Sequence, residues 1–229
     1  MLPTRQARRF RVGIRQQGLF TTLYWSAFGY LRPNRFVVLA HDLHAHPSPP
    51  VRDDLRFAMW SAQELESWRR DRTGLAPEFF QDTIEPVRLC AVALDGLEVA
   101  GLVWVYLPGW QTRMFRLCAG EAELNAGYVR PEYRGRRIFM DVIAWACSRL
   151  AATGFTTAYA AVHSGNAPSL RAFREAGFRD LTTIRHVFLY RPRVRLPRDF
   201  RRGGPDMAPT PPTFGAPRPR RGAPQLPAA

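Results

Sequence analysis

The sequence predicts a mixed α/β (α+β) domain, and three features carry that expectation. Two β-rich runs, "VRLCAVAL" and "LEVAGLVWVY", flank Asp95 and Gly96, a pair that tolerates the positive φ of a tight hairpin turn. The runs "EAELNAGYV", "RRIFMDVIAWACSRLAAT" and "FTTAYAAV" then read as strand, helix and strand, which makes one β-α-β crossover. A further helix, "NAPSLRAFREA", and a final strand, "TTIRHVFLY", complete the alternation between periods of 3.6 and 2.

Taken in order, residues 5–31 place arginines early and aromatics late. Phe20, Leu23, Tyr24, Ala27, Phe28 and Leu31 recur at three- and four-residue spacing, which predicts a helix with one apolar face. Such a face suits packing on the domain itself, and it also suits peripheral contact with a lipid headgroup boundary. "RFVVLAHDL" reads as a strand. His41, Asp42, His44 and His46 crowd its end, but alternation sends neighbours to opposite faces, so no metal site is expected. "LRFAMW" is the next strand, and Ser61 with Glu64 forms a capping box that starts a helix through about Arg70. "APEFFQDTI" suggests a second, short helix before the hairpin. Gly154 ends the long helix, while Pro168 in the first turn and Gly177 at the end bound the last one.

Charge divides the chain in three. Its 33 basic side chains are all arginine, and the formal net charge is +14. Residues 1–40 hold seven arginines and no acid, and residues 191–229 hold nine arginines and two acids. Residues 41–190 balance 17 arginines with 17 acids. We expect a basic amphipathic extension over 1–40, a folded domain over 41–190, and a disordered Pro/Arg-rich tail over 191–229. A neutral domain between basic ends argues against a specific nucleic-acid binder. Three separated cysteines without C-x-x-C fit reduced thiols, hence a cytoplasmic protein, membrane-peripheral if the first helix meets lipid. No small-x-small cleavage site follows the first apolar run, so a signal peptide is not expected. With no lysine there is no Schiff base, and with no G-x-S-x-G elbow there is no serine hydrolase of that type.

The candidate site is "VRPEYRGRRI", residues 129–138, between a strand and a helix. A helix start offers unpaired N–H groups and a positive dipole end. Gly135 keeps a Cβ out of the way, and arginines add charge-assisted contacts to phosphate. On these residues alone a phosphate cradle, an arginine-rich nucleic-acid patch and a solvated turn all stay open.

Over residues 54–190 the chain resembles the GNAT superfamily of N-acetyltransferases. The family's loop, V-x-P-x-[YF]-R-G-x-G-[IV], is matched by Val129, Pro131, Tyr133, Arg134, Gly135 and Ile138. A second signature, N-x-x-[AS] followed by [YF]-x-x-x-GF, is matched by Asn166, Ser169, Phe173, Gly177 and Phe178. The resemblance implies a mixed, mostly antiparallel central sheet flanked by helices, and acetyl-CoA or another acyl-CoA as co-substrate without a metal. By resemblance Arg134, Gly135, Arg136, Arg137, Ile138 and Phe139 hold the pyrophosphate, Tyr128 and Val129 hydrogen-bond the pantetheine arm, and Asn166 and Phe173 flank the thiol. Two positions depart from the pattern: Arg137 stands where the loop has its second glycine, and Phe173 where a proton-donating tyrosine is common. A helical φ/ψ at Arg137 would accommodate its side chain.

Acyl transfer to an amine needs a base for the amine, donors for the oxyanion and a tolerable leaving thiolate. Glu123, six residues before Val129, matches the place of the family's glutamate base, acting directly or through water, with Glu121 on the same strand face in reserve. An exposed strand carboxylate is the plain alternative for both. Tyr128, Tyr159 and His163 are the groups able to replace the missing acid. Residues 107–120 and the first two helices are expected to wall the acceptor, and Trp110, Met114 and Phe115 suggest a bulky or apolar one. A small-molecule or lipid-linked amine is the expected partner. The acceptor's identity, the acyl length and the oligomeric state have no signature in the chain. The alternatives are an inactive ligand-binding protein of this fold and a basic membrane- or nucleic-acid-associated protein.

Overall fold

The computed structural model describes residues 34–45, 48–49, 51–110 and 116–186, together with Ile14 and Leu19. The helix expected over 5–31, the tail 191–229, His46, Met114 and Phe115 lie outside the described residues, apart from Ile14 and Leu19.

Local rules account for most elements. Strand β1 is Asn34–Asp42 and β2 is Arg56–Ser61. Helix α1, Ala62–Arg69, starts as its sequence requires: Ser61 Oγ accepts the Glu64 N–H at 3.2 Å, and the Glu64 carboxylate accepts the Ser61 N–H at 2.7 Å. The short second helix divides into a 3-10 turn, Pro77–Phe80, and α2, Gln81–Ile84. Arg69 reaches both oxygens of Asp82, at 2.6 and 2.8 Å, tying α1 to α2 through a pair that is almost fully buried. Strands β3, Leu89–Asp95, and β4, Glu98–Tyr106, turn at Gly96 with φ 57°. Strand β5, Glu121–Val129, passes through the 3-10 turn Pro131–Tyr133 into α3, Ile138–Ala152. Strand β6, Thr157–His163, leads to α4, Ala167–Glu175, where Asn166 Oδ1 accepts the Ser169 N–H at 3.2 Å. Strand β7 is Arg179–His186, three residues earlier than the sequence suggests.

The strands form one seven-stranded sheet in the order β2-β3-β4-β5-β6-β1-β7. Every neighbouring pair is antiparallel except β5 and β6, which the β5-α3-β6 crossover makes parallel. β1, first in sequence, is inserted between β6 and β7, so Val38 faces Ala161 on one side and Thr182 on the other. That insertion also explains the early start of β7, because Arg179 and Asp180 pair with Ala40 and Leu39.

Helices cover both faces of the sheet. On one face α3 and α4 bury Val103, Leu124, Ile143, Leu150 and Phe173. On the other, α1 and the Pro77–Phe80 turn bury Leu65, Phe79, Val92, Leu102 and Trp104. His41 is buried and meets Phe178 edge-on at 5.2 Å, whereas Asp42 turns outward and caps the N–H groups of His44 and Ala45. Among the described residues no group of His, Cys, Asp or Glu is arranged to hold a metal, and no helix is long and apolar enough to cross a membrane.

Candidate active site

The parallel pairing of β5 with β6 is short: Glu121, Ala122 and Glu123 face Thr157, Ala158 and Tyr159, and pairing stops there. Beyond it, β5 is bent by a bulge. Trp104 lies opposite Asn125 and Leu102 opposite Tyr128, so β5 carries an extra residue between them. Ala126 takes φ 50°, a left-handed value uncommon for a non-glycine residue, and its N–H is held by Asn125 Oδ1 at 2.7 Å. The last residues of β5 then face the starts of α3 and α4 across a cleft of about 800 Å³.

Most of the residues singled out from the sequence meet in this cleft. Tyr128, Val129, Arg134, Gly135, Arg137, Ile138, Phe139 and Asn166 all line it. Gly135 has φ 76°, and a Cβ there would meet no protein atom within 4 Å. Glycine is thus needed for its backbone angle, and the space beside it is open. The first intrahelical bond of α3 runs from the Asp141 N–H to the Arg137 carbonyl. The N–H groups of residues 138–140 therefore have no partner within the helix and supply the positive dipole end that an anion requires.

Arg137 departs from the helical backbone anticipated for it. It is the N-cap of α3 with φ 62° and ψ 10°, a left-handed conformation of the kind a glycine would take. The physical reason is the double reversal through Gly135 and Arg137 that turns the chain from Pro131–Tyr133 into α3. The exposed side chain runs along the cleft rim to Glu175 of α4, at 3.1 Å. Arg134 folds back on the strand, its Nε donating to the Val129 carbonyl at 3.2 Å and its guanidinium 5.6 Å from the Tyr128 ring centre.

Arg136 and Phe173 do not line the cleft. The Arg136 guanidinium stacks over Tyr133, and its carbonyl accepts from Arg52 at 2.9 Å. Phe173 is buried below the cleft floor, edge-on to Phe139 at 5.8 Å and to Phe178 at 5.0 Å. The Phe139 ring presses on β5: a Cβ on Gly127 would lie 2.2 Å from its Cε2. Gly127 had a legible signal, a glycine inside a strand, which marks a bulge or a close approach.

Glu123 and Glu121 are both buried, which removes the reading of an exposed strand carboxylate. Glu123 is 0% exposed, takes a 2.9 Å hydrogen bond from Asn125 Nδ2, and is not part of the cleft lining. Glu121 accepts from the Cys118 N–H at 2.7 Å and from the Tyr159 hydroxyl at 3.3 Å. Opposite Glu123 on β4 stands Tyr106, whose hydroxyl donates to Glu85 at 2.7 Å and accepts from Gln81 at 3.0 Å. Burial, followed by the nearby Glu85 charge, pushes the Tyr106 phenol well up, so it stays protonated. Nothing in local spacing pointed to Glu85 or Gln81. His163 sits at an exposed turn, accepting the Gly165 N–H at 3.1 Å.

One further acid lines the cleft. Glu78, in the Pro77–Phe80 turn, is anchored by its carbonyl, which accepts from Trp104 Nε1 at 2.7 Å. Burial pushes its carboxyl up, opposed by its own backbone hydrogen bond and by the charge of Arg134.

The anion end of the cleft, with an unpaired helix start, an open flank at Gly135 and the arginines 134, 137 and 171, fits a pyrophosphate. At the β5 wall of the cleft, Phe139 lies against Gly127. No curated protein shows significant sequence similarity to the chain. Several solved structures are similar to the chain at low identity. One described as a GNAT-family acetyltransferase from Novosphingobium aromaticivorans is 17% identical over 67% of this chain and 62% of its own, with a TM-score of 0.47. GCN5-related N-acetyltransferases from Sphaerobacter thermophilus and Kribbella flavida are 16% and 18% identical, over 72% and 73% of this chain and 55% and 62% of theirs, with TM-scores of 0.46 and 0.45. The chain thus spans less than two thirds of the length of these structures. The family model of the Acetyltransferase (GNAT) family matches residues 53–178, more than half of the sequence and the whole of the cleft, and on that match the chain belongs to the GNAT acetyltransferase family.

Proposed function

We propose that the protein transfers an acyl group, acetyl in the simplest case, from acyl-CoA to a primary amine on a small-molecule or lipid-linked acceptor. The observation that carries this reading is the α3 start: free N–H groups beside a Gly135 flank that no protein atom fills. In this reading the α3 start and Arg137 hold the pyrophosphate, and the end of β5 at Tyr128 and Val129 orients the pantetheine arm. When bound, acyl-CoA supplies the thioester carbon that the amine attacks. Glu123, held by Asn125, draws the amine proton through water, since it lies behind the cleft wall. The leaving thiolate, with an ordinary pKa of about 8.5, needs no strong acid, which makes Phe173 tolerable in that position.

A second reading, a CoA-binding protein without turnover, draws on the two departures from the family pattern, Phe173 in place of a proton-donating tyrosine and Arg137 in place of the second glycine. One pair of measurements separates the two. Saturating the full-length protein with CoA at 100 times Kd should add about 2.7 kcal/mol of stability under both readings, and no shift at millimolar CoA would sink both. Free-thiol release in the presence of amines is expected only for the enzyme. Glu123→Gln should slow that release more than it weakens CoA binding, and an unchanged rate would remove Glu123 as the base.

A further inference from the structure

Two carboxylates line the cleft, and their surroundings differ. Glu175 is held at 3.1 Å by Arg137. Glu78 forms no ion pair among the described residues, although it is half-buried and faces a cleft that also holds Arg134, Arg137 and Arg171. Its backbone is fixed on the opposite wall by the Trp104 indole, and Trp104 is the β4 partner of Asn125, next to the Ala126 bulge. Phe79, the next residue, packs edge-on against Tyr128 at 5.8 Å. Glu78 is thus tied to the β5 bend through Trp104 and Phe79, in a cleft it shares with the α3 and α4 starts.

We propose that Glu78 is the acceptor-recognition residue of this cleft, holding a cationic amine as its ammonium and selecting against acceptors that carry an acid beside the amine. The inference rests on the acyl-transfer reading for its purpose but not for its test. A half-buried carboxylate has lost part of its hydration, and a cation delivered by the ligand replaces it with a charge-assisted hydrogen bond. Burial raises the cost of leaving that carboxylate ionised and alone, as its upward pKa shift indicates. Acceptor phosphates or carboxylates would be repelled at this point and drawn to the arginines instead. Glu78 holds the ammonium; the proton then leaves through water, the nitrogen bonds to the thioester carbon, and the C–S bond breaks to release thiolate, which takes the second amine proton.

The probes are 1,3-diaminopropane, propylamine and β-alanine, which share an aminoethyl unit and differ in the group attached to it: aminomethyl, methyl or carboxylate. Binding of each to the full-length protein without CoA, read by calorimetry, tests Glu78 independently of catalysis. The wild type should bind 1,3-diaminopropane at least about tenfold more tightly than β-alanine, and Glu78→Gln, which keeps the shape, should remove that preference. Glu78→Arg should reverse it. CoA binding, measured alongside, should be unchanged in Glu78→Gln. Failure of the diamine to bind the wild type, or equal binding by Glu78→Gln, overturns the proposal whatever CoA does. Failure of CoA to bind any of the proteins would instead remove the acyl-transfer reading and leave the diamine result to stand by itself.

Discussion

Arg137 gives a prediction whose sign runs against the usual order of helix propensity. A non-glycine residue in the left-handed region costs about 1–2 kcal/mol, and Arg137 sits at φ 62°. Replacing it by glycine removes that cost. It also adds about 0.4–1 kcal/mol of unfolded-state entropy to be lost on folding. The ion pair to Glu175 is lost as well, but with side chains 67% and 38% exposed it is solvent-screened and contributes about 0–0.5 kcal/mol. Arg137→Gly should therefore lie between about 0.5 kcal/mol less and about 1.5 kcal/mol more stable than the wild type, centred near a gain of about 0.5 kcal/mol. Arg137→Ala keeps the strained backbone and loses the pair, so it should be neutral to about 0.5 kcal/mol less stable. The decisive quantity is the difference between the two variants, about 1 kcal/mol in favour of glycine, or about 2–4 °C in Tm for a domain of this size. Within a helix, alanine would win by a similar margin. Parallel urea denaturation of both variants measures it, and an alanine variant equal to or more stable than the glycine variant would refute the left-handed cap.

Gly127→Ala should cost about 1–3 kcal/mol, since its Cβ would fall 2.2 Å from the Phe139 ring, and most of that cost should vanish in a Phe139→Ala background. Strictly additive effects in the double-mutant cycle would show that the two positions do not touch. Asp82→Ala should cost about 3 kcal/mol in a denaturation curve, because it leaves the buried Arg69 guanidinium without its carboxylate; a loss below about 1 kcal/mol would mean that water reaches the pair. Brief alkylation of the native protein should modify Cys118 alone, as Cys90 and Cys147 are buried and burial pushes their thiols far up. Mass spectrometry that finds adducts on either buried cysteine at a comparable rate would contradict the packing around β3 and α3.

What could be read from the sequence is what neighbours in sequence decide. Ser61 and Glu64 cap α1 because three residues span one helical turn, and Gly96 and Gly154 turn where only their φ values of 57° and 88° are needed. The loop from Val129 to Ile138 was legible for the same reason. The position of β1 between β6 and β7 was not, since pairing of Val38 with Ala161 and Thr182 is set by contacts across the sheet. The alternation of Glu121 and Glu123 gave their common face but not what covers it. Their burial follows from Tyr106, Tyr159 and the loop at Cys118, each remote from or outside the strand itself. Glu78 belongs to the same class, reaching the cleft from a turn about forty residues upstream of β5, held by an indole hydrogen bond to its carbonyl.

The backbone strain follows the same boundary. Ala126 and Arg137 are the positive-φ non-glycine residues among those described, and the segment between them supplies part of the cleft lining, Gly127 to Val129 and Tyr133 to Gly135. Neither position has a side chain that asks for that conformation, so the surrounding packing must impose it. At Ala126 the bulge shifts the register of β5 on β4 by one residue, and the next residue, Gly127, lies against Phe139. At Arg137 the reversal aims the free N–H groups of α3 back along the strand. Relaxing either residue to an ordinary φ would straighten β5 or rotate the helix start, and the two walls of the cleft would no longer face each other. That dependence makes the strain part of how the cleft is built, and Arg137→Gly should keep the left-handed backbone of the helix start while removing the Arg137 side chain from the lining.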